Sequence, residues 1–121
     1  MTIKIEIDST EARKFLKEKG INVNKRIKEA IRIITPFIHG EVKESIAGRR
    51  NEPTSVDTGR FLNSVEFETS DNDAVIFTQI PYAKFLEYGT TKMMARRHFN
   101  NTKERNKEKI KSIFEEKIKD I

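Results

Sequence analysis

The sequence predicts an α+β protein in which a small antiparallel β-sheet, made of an N-terminal strand and a β-hairpin, packs against a long kinked helix and a C-terminal helix. Apolar and polar residues alternate at the N-terminus and again in two runs in the middle of the chain, which indicates three half-buried strands. A stripe of apolar residues at three- and four-residue steps indicates the long helix. The 121 residues are enough for one modest core, so a single domain over 1–121 is predicted.

The N-terminal strand is predicted over residues 2–8, where isoleucines alternate with polar residues at Ile3, Ile5 and Ile7. Asp8 or Ser9 is expected to cap a short helix that follows the strand and ends at Gly20.

A longer helix is predicted from about Asn24 to Ile46, with an apolar stripe formed by Ile27, Ala30, Ile31, Ile34, Ile38, Val42 and Ile46. Pro36 lies inside this helix and has no N–H to donate, so it is expected to kink the helix or to split it. Residues 47–56 have loop composition and are predicted to form a flexible loop.

A single helical turn is expected next, capped by Asp57 or Thr58 and burying Phe61 and Leu62. The strands of the hairpin are predicted at 65–69 and 74–79, because both runs alternate and a polar turn separates them.

The C-terminal third is predicted to contain a short helix after Pro81 that Gly89 closes, a second flexible loop at 90–97, and a helix from about Phe99 to Ile118. The second half of this helix has an apolar stripe. Its first half has no large apolar residue between positions 100 and 109. That half is therefore expected to project into solvent or to meet a partner.

The net charge of +5 comes entirely from the C-terminal quarter. Residues 1–91 hold 14 basic and 14 acidic side chains, whereas residues 92–121 hold 10 basic and 5 acidic ones. This excess indicates a solvated helix face or, as the alternative, contact with nucleic acid that does not depend on sequence. The residues expected to form such a contact, or an interface with another protein, are Arg49, Arg50, Lys92, Met93, Met94, Arg96, Arg97, Lys103 and Arg105.

The residue types that metal and redox sites require are scarce. There is no cysteine, which excludes disulfides, thiolate metal sites and cysteine nucleophiles. The two histidines, His39 and His98, do not stand at a metal-ligand spacing, so no metal and no cofactor is predicted. The N-terminus lacks the apolar region of a signal peptide, and no apolar run approaches the length of a membrane span.

Two catalytic arrangements can still be drawn. A serine–histidine–aspartate site would combine Ser55 or Ser64 with His98 and Asp57, but no nucleophile-elbow glycine pattern supports it. The tripeptide that begins at Asp57 is also the catalytic tripeptide of aspartic proteases, which at this length would have to dimerise. The loop before Asp57 and Arg60 after it do not fit that site. A protein without enzymatic activity is predicted, and the dimeric aspartic protease is the less favoured alternative.

Three motifs in the chain resemble those of a phage family. They are Val56-Asp57-Thr58-Gly59-Arg60-Phe61-Leu62-Asn63-Ser64, Pro81-Tyr82-Ala83-Lys84-Phe85-Leu86-Glu87-Tyr88-Gly89-Thr90 and Ala95-Arg96-Arg97-His98-Phe99. Their order and spacing are similar to those of the "gene product ten"-like family of phage neck and tail-completion proteins, over roughly residues 20–121. The likeness rests on Asp57, Thr58, Gly59, Leu62, Ser64, Tyr82, Ala83, Glu87, Gly89 and Thr90. One departure is His98, which stands where the family usually has proline.

The resemblance implies a structural virion protein, made in the host cytoplasm and built into the head–tail junction. Copies of the chain would form a ring, with sixfold symmetry, around the DNA channel. Their partners would be head-completion or connector proteins on one side and tail-terminator or tail-tube proteins on the other. Contact with DNA in the channel would be nonspecific, and the resemblance implies no enzymatic role and no membrane.

Two motif residues also carry structural expectations. Gly89 is expected to close its helix in the left-handed conformation. Glu87 is expected to pair with Arg60 or with Arg96.

Overall fold

The computed structural model describes residues 2–18, 24–56 and 59–119. Its elements are, in chain order, β1 (Ile3–Asp8), α1 (Thr10–Glu18), α2 (Asn24–Ile46), α3 (Arg60–Ser64), β2 (Glu66–Thr69), β3 (Asp73–Thr78), α4 (Ala83–Tyr88), α5 (His98–Arg105) and α6 (Lys107–Lys119). The predicted α+β fold, a small antiparallel sheet packed with helices, is confirmed.

The central strand of the sheet is β3, and the strand order is β1-β3-β2. The predicted N-terminal strand and the predicted hairpin therefore meet in one sheet. Ile76 of β3 pairs with Ile5 of β1 and with Phe67 of β2, so these three side chains share the inner face. Helices α2, α4 and α5 contact the strands. One hydrophobic cluster includes inner-face residues of the sheet and residues of these helices.

Helix α2 has the predicted bounds, and every member of its predicted apolar stripe is at most 1% exposed. Burying one such isoleucine contributes roughly 2 kcal/mol relative to leaving it in water. Pro36 lies inside α2 on an exposed position. The helix continues through it, so the alternative in which Pro36 splits the helix is wrong, while the kink stays a prediction. Water can bind the backbone carbonyl that loses its donor at this exposed position.

The C-terminal helix is divided at Asn106, so the prediction of one helix is wrong. Asn106 has φ −105° and ψ 7°, and its side-chain amide donates to the Thr102 carbonyl at 2.9 Å. A side chain that bonds to nearby backbone in this way favours a break in the helix. Of the predicted apolar stripe of the second half, Ile113 and Phe114 are buried in α6 and Ile110 is partly buried against the core.

Helix α5 does not project from the fold as the sequence suggested. His98, Phe99 and Thr102 are at most 1% exposed, and Asn106 is 8% exposed. The helix packs on α2 and β1. The expectation was wrong because it counted only large apolar residues, whereas this buried face carries small and polar side chains four residues apart.

Of the caps and stops expected for α1 and α3, one lies among the described residues and is present. Asp8 caps α1, since its carboxylate accepts the Thr10 N–H at 3.1 Å. The expected stop at Gly20 and the expected caps Asp57 and Thr58 lie outside the described residues. Among the helices in the described ranges, none has both the length and the apolar composition needed to cross a bilayer.

Candidate assembly interface

The three sequence motifs meet at one buried aromatic residue. Phe61, from the first motif, is 3% exposed. Its ring centroid lies 6.3 Å from that of Tyr82 in the second motif and 5.9 Å from that of His98 in the third. Both contacts are edge-to-face, which is a favourable arrangement for aromatic rings. Segments that are separated in sequence thus form one structural unit of the fold.

Glu87 caps a helix rather than forming the expected ion pair. It is 4% exposed, and its two carboxylate oxygens accept the backbone N–H groups of Phe99 and Asn100, both at 2.9 Å. These amides belong to the first turn of α5, where the helix leaves its N–H groups without intrahelical partners and favours a negative charge. The expected partner Arg96 bonds to Thr54 and Ser55 instead.

Gly89 ends α4 with φ +78° and ψ 179°. The φ is positive as predicted, but the extended ψ differs from the left-handed conformation and belongs to a region that is essentially restricted to glycine. The Gly89 N–H donates to the Phe85 carbonyl at 2.8 Å. The chain then folds back, and the Arg96 N–H donates to the Leu86 carbonyl at 2.8 Å. Gly89 therefore determines the path of the loop that follows it.

The other motif residues also have structural contacts. Ser64 Oγ lies 2.7 Å from Thr78 Oγ1 and joins α3 to β3. Ala83 is 1% exposed, and Leu62 packs partly buried against the core. The Thr90 N–H donates to the Met93 carbonyl at 2.8 Å. These contacts fix residues of the first and second motifs in the fold.

A chain of hydrogen bonds connects the loop 47–56 to α2 and α5. Ser55 Oγ lies 2.6 Å from His98 Nε2, and Ser45 Oγ lies 2.8 Å from His98 Nδ1. Ser45 Oγ donates to the carboxylate of Glu52. With His98 neutral and its proton on Nδ1, each bond has one donor and one acceptor. The Ser55 hydroxyl donates to Nε2, the Nδ1–H donates to Ser45 Oγ, and the Ser45 hydroxyl donates to the Glu52 carboxylate.

The Glu52 carboxylate is held from several sides. It is 5% exposed. It accepts hydrogen bonds from both terminal nitrogens of Arg105 at 3.1 Å and from the side-chain amide of Asn101 at 3.2 Å. Burial raises the pKa of Glu52, but the hydrogen bonds from Arg105, Ser45 and Asn101 lower it by more, so the net shift is downward. The four donors offset the cost of burying this carboxylate, and they connect the loop to α2 and α5.

The network contains a serine, a histidine and an acid, but Ser45 stands between His98 and Glu52, and we interpret the network as a structural connection. Of the expected members, Ser55 and His98 meet, Ser64 lies elsewhere and Asp57 is outside the described residues. Burial lowers the pKa of His98 to about 4; Glu52 raises it and Arg96 lowers it further. A histidine of that basicity accepts a serine proton poorly near neutral pH.

We expect the stability of the protein to fall as the pH is lowered from about 6.5 to about 4. An unperturbed histidine, as in the unfolded chain, has a pKa of about 6.5, whereas the pKa of His98 in the folded protein is about 4. In this window the unfolded chain binds a proton that the folded chain does not, which removes about 3 kcal/mol of stability by pH 4. The lowered pKa of Glu52 acts in the same direction at the acid end.

The measurement is urea unfolding at several pH values for the wild type and for His98→Gln. The variant lacks the titrating group, so its stability should change much less between pH 6.5 and 4.5, whatever its absolute stability. Equal pH dependence of the two proteins would show that His98 does not titrate as described.

The residues predicted for the interface separate into two groups. Arg49 and Arg50 form ion pairs with Glu44 and Glu41, and Arg105 is bound to Glu52. The other group lies in residues 89–103, which we call the basic segment. It contains four cationic and no acidic side chains, namely Lys92, Arg96, Arg97 and Lys103. In the described part of the chain, Lys92, Arg97 and Lys103 form no ion pair.

Met94 is the most exposed large apolar residue of the described chain. It is 88% exposed, whereas the neighbouring Met93 is half-buried. Arg97, close to it, has φ +52°, a left-handed conformation that costs a non-glycine residue about 1 kcal/mol. This turn lets the chain bury His98 immediately after the exposed Arg97.

The expected flexibility of 47–56 and 90–97 stays a prediction, although both segments are free of helix and strand.

A row of aromatic residues beside the basic segment was missed by the sequence analysis. Tyr82, immediately before α4, and Phe85 and Tyr88 within α4 follow a three-residue spacing and are 36%, 46% and 59% exposed. The spacing itself was the available signal. Tyr82 also borders an open groove of about 640 Å³ between α4 and the loop before α3, with Ser55 and Arg96 in its lining.

Comparisons of the chain with protein-family models, with curated proteins and with solved structures found no match. Among the described residues, no three histidine, aspartate or glutamate side chains are grouped so that they could hold a metal ion.

Proposed function

We propose that this chain is a structural virion protein of a tailed phage or prophage, a neck or tail-completion subunit that forms a ring at the head–tail junction. Its partners are other copies of the chain, the head-completion or connector proteins, and the tail-terminator or tail-tube proteins. The chain would be located in the virion after assembly in the host cytoplasm.

The observation that carries the proposal is an exposed basic segment whose two ends are fixed by motif residues and whose most exposed side chain, Met94, is apolar. Glu87 fixes the start of α5, Gly89 fixes the turn out of α4, and Met94 is left 88% exposed between them. An exposed methionine flanked in sequence by cations suits a surface that becomes buried against a partner. A ring of identical subunits needs such a surface because every copy must contact two neighbours.

Detection in particles tests this proposal. Particles would be purified from the element that carries the gene, and an epitope-tagged copy of the chain would be labelled with gold beads. We expect the chain in purified particles, with the label at the junction of head and tail. Absence of the chain from complete particles would contradict the proposal.

The alternative is a nucleic-acid-binding protein without sequence preference, which the absence of acidic residues from the basic segment favours. Binding of the purified chain to duplex DNA that weakens steeply with salt, together with its absence from particles, would support this alternative. No observation on the described residues favours the aspartic protease, since Asp57 lies outside them.

A further inference from the structure

The outer face of the sheet carries a concentrated negative charge. Strand pairing places one lysine and five carboxylates on this face, namely Lys4 with Glu6, Asp8, Glu66, Glu68 and Asp73. All six side chains are exposed, and their formal charges leave four net negative charges. In the described part of the chain, Glu66 and Glu68 form no ion pair. We call this surface the acidic sheet face.

Two apolar side chains lie in the middle of the acidic sheet face. Val75 pairs with Glu6 and Glu68, and Phe77 pairs with Lys4 and Glu66, so each lies between charged residues of the two edge strands. Both are partly exposed. The face is thus a shallow apolar strip with carboxylates along its sides.

The basic segment has the complementary pattern. Its most exposed residue is apolar, Met94, and the charged residues around it are the cations Lys92, Arg96 and Arg97. The segment joins α4 to α5, and these helices contact β1 in the layer under the buried inner face of the sheet. The acidic sheet face points away from that layer, so the two surfaces belong to opposite sides of one chain.

We infer that the acidic sheet face of one copy binds the basic segment of the next copy, with Met94 against Val75 and Phe77. The partner is a second copy because the acidic sheet face and the basic segment of the same chain are complementary in charge and in apolar surface. The two surfaces lie on opposite sides of one molecule, so they cannot contact each other within it. Such a contact is heterologous, and its repetition closes a ring when the rotation from one copy to the next divides a full turn. This inference rests on the proposed ring and assigns its two contact surfaces.

Cysteine cross-linking tests the contact directly, because the natural chain contains no cysteine. A chain with both Val75→Cys and Met94→Cys would be incorporated into particles and oxidised. We expect a ladder of cross-linked species, which needs two reactive positions per copy, whereas either single substitution should give no species beyond a dimer. The matched control combines Met94→Cys with Lys111→Cys, an exposed position on α6, and should give no ladder.

Charge reversal gives an independent test. Glu66→Lys with Glu68→Lys should reduce the yield of complete particles at least tenfold, and Arg97→Glu with Lys103→Glu should do the same. All four changes in one chain should restore assembly, because the reversed surfaces again attract each other. Lys107→Glu with Lys109→Glu, on exposed positions of α6, is the control that changes the charge elsewhere and should assemble normally.

The results of these experiments distinguish failure of the assigned contact surfaces from failure of the proposed function. A chain that is present in particles but shows no ladder, or four reversals that fail to restore assembly when circular dichroism shows a folded protein, would overturn the assignment of surfaces. A chain that is absent from particles would overturn the proposed function and this inference with it.

Discussion

Gly89→Val is expected to destabilise the fold strongly and to lower the yield of soluble protein. A Cβ atom at this position would lie 2.7 Å from the Ala95 nitrogen and 2.8 Å from the Met93 oxygen. Both are backbone atoms that cannot turn aside as a flexible side chain could. Relief of the clash would move the loop and break the bond between the Arg96 N–H and the Leu86 carbonyl.

The backbone conformation adds to this cost. With φ +78° and ψ 179°, a β-branched residue is strained by about 1–3 kcal/mol even where space exists. Together with the clash, we expect a loss of roughly 4 kcal/mol or more, which is a large part of the 5–15 kcal/mol that stabilises an ordinary domain.

The measurement is the yield of soluble protein and its thermal unfolding by circular dichroism. Gly40→Ala is the matched control, because nothing lies within 4 Å of a Cβ at Gly40 and the position is helical. That substitution should stabilise the protein by about 0.5–1 kcal/mol. A Gly89→Val protein that is soluble and melts with the wild type would contradict the account of this turn.

Glu87→Ala is expected to lower the free energy of unfolding by about 3 kcal/mol. The change removes two hydrogen bonds from a charged acceptor and leaves the N–H groups of Phe99 and Asn100 without it. Bonds to charged groups contribute about 1.5–3 kcal/mol each, and an unsatisfied buried donor costs about 1–3 kcal/mol. Water that enters the space would recover part of the loss.

Urea unfolding of three variants measures this effect. Glu87→Gln keeps one acceptor oxygen and should lose less stability than Glu87→Ala. Glu104→Ala, on an exposed position of α5, the helix that Glu87 caps, should change stability by no more than about 0.5 kcal/mol. If Glu87→Ala and Glu104→Ala unfold at the same urea concentration, the capping role of Glu87 is refuted.

The elements with a strict period were predictable from the sequence. The bounds of α2 follow from seven apolar residues on one helical stripe, and the alternation of isoleucines gives β1 its buried face. The division at Asn106 and the buried face of α5 were not predictable by the same rule. His98, Thr102 and Asn106 are polar, and their burial follows from the packing of α5 on α2 and β1.

The contacts of the candidate site were harder to predict from the sequence than the helices and strands. The meeting of Ser55 and His98 was one of several combinations that the sequence allowed, and nothing in the sequence selected Ser45 and Glu52 to complete the network. Glu87 was expected to form an ion pair with Arg60 or Arg96 because a carboxylate and a guanidinium carry opposite charges. Its actual partners are backbone amides, which no residue type reveals. Long-range contacts of this kind depend on the packing of whole helices.

The most direct test of the proposed function is deletion of the gene from the element that carries it, followed by negative-stain electron microscopy of the products. The account predicts filled heads and free tails that fail to join, or tails that end abnormally, with joining restored by a plasmid copy of the gene. Complete and infectious particles in the absence of the gene would contradict the proposal that this chain joins head and tail.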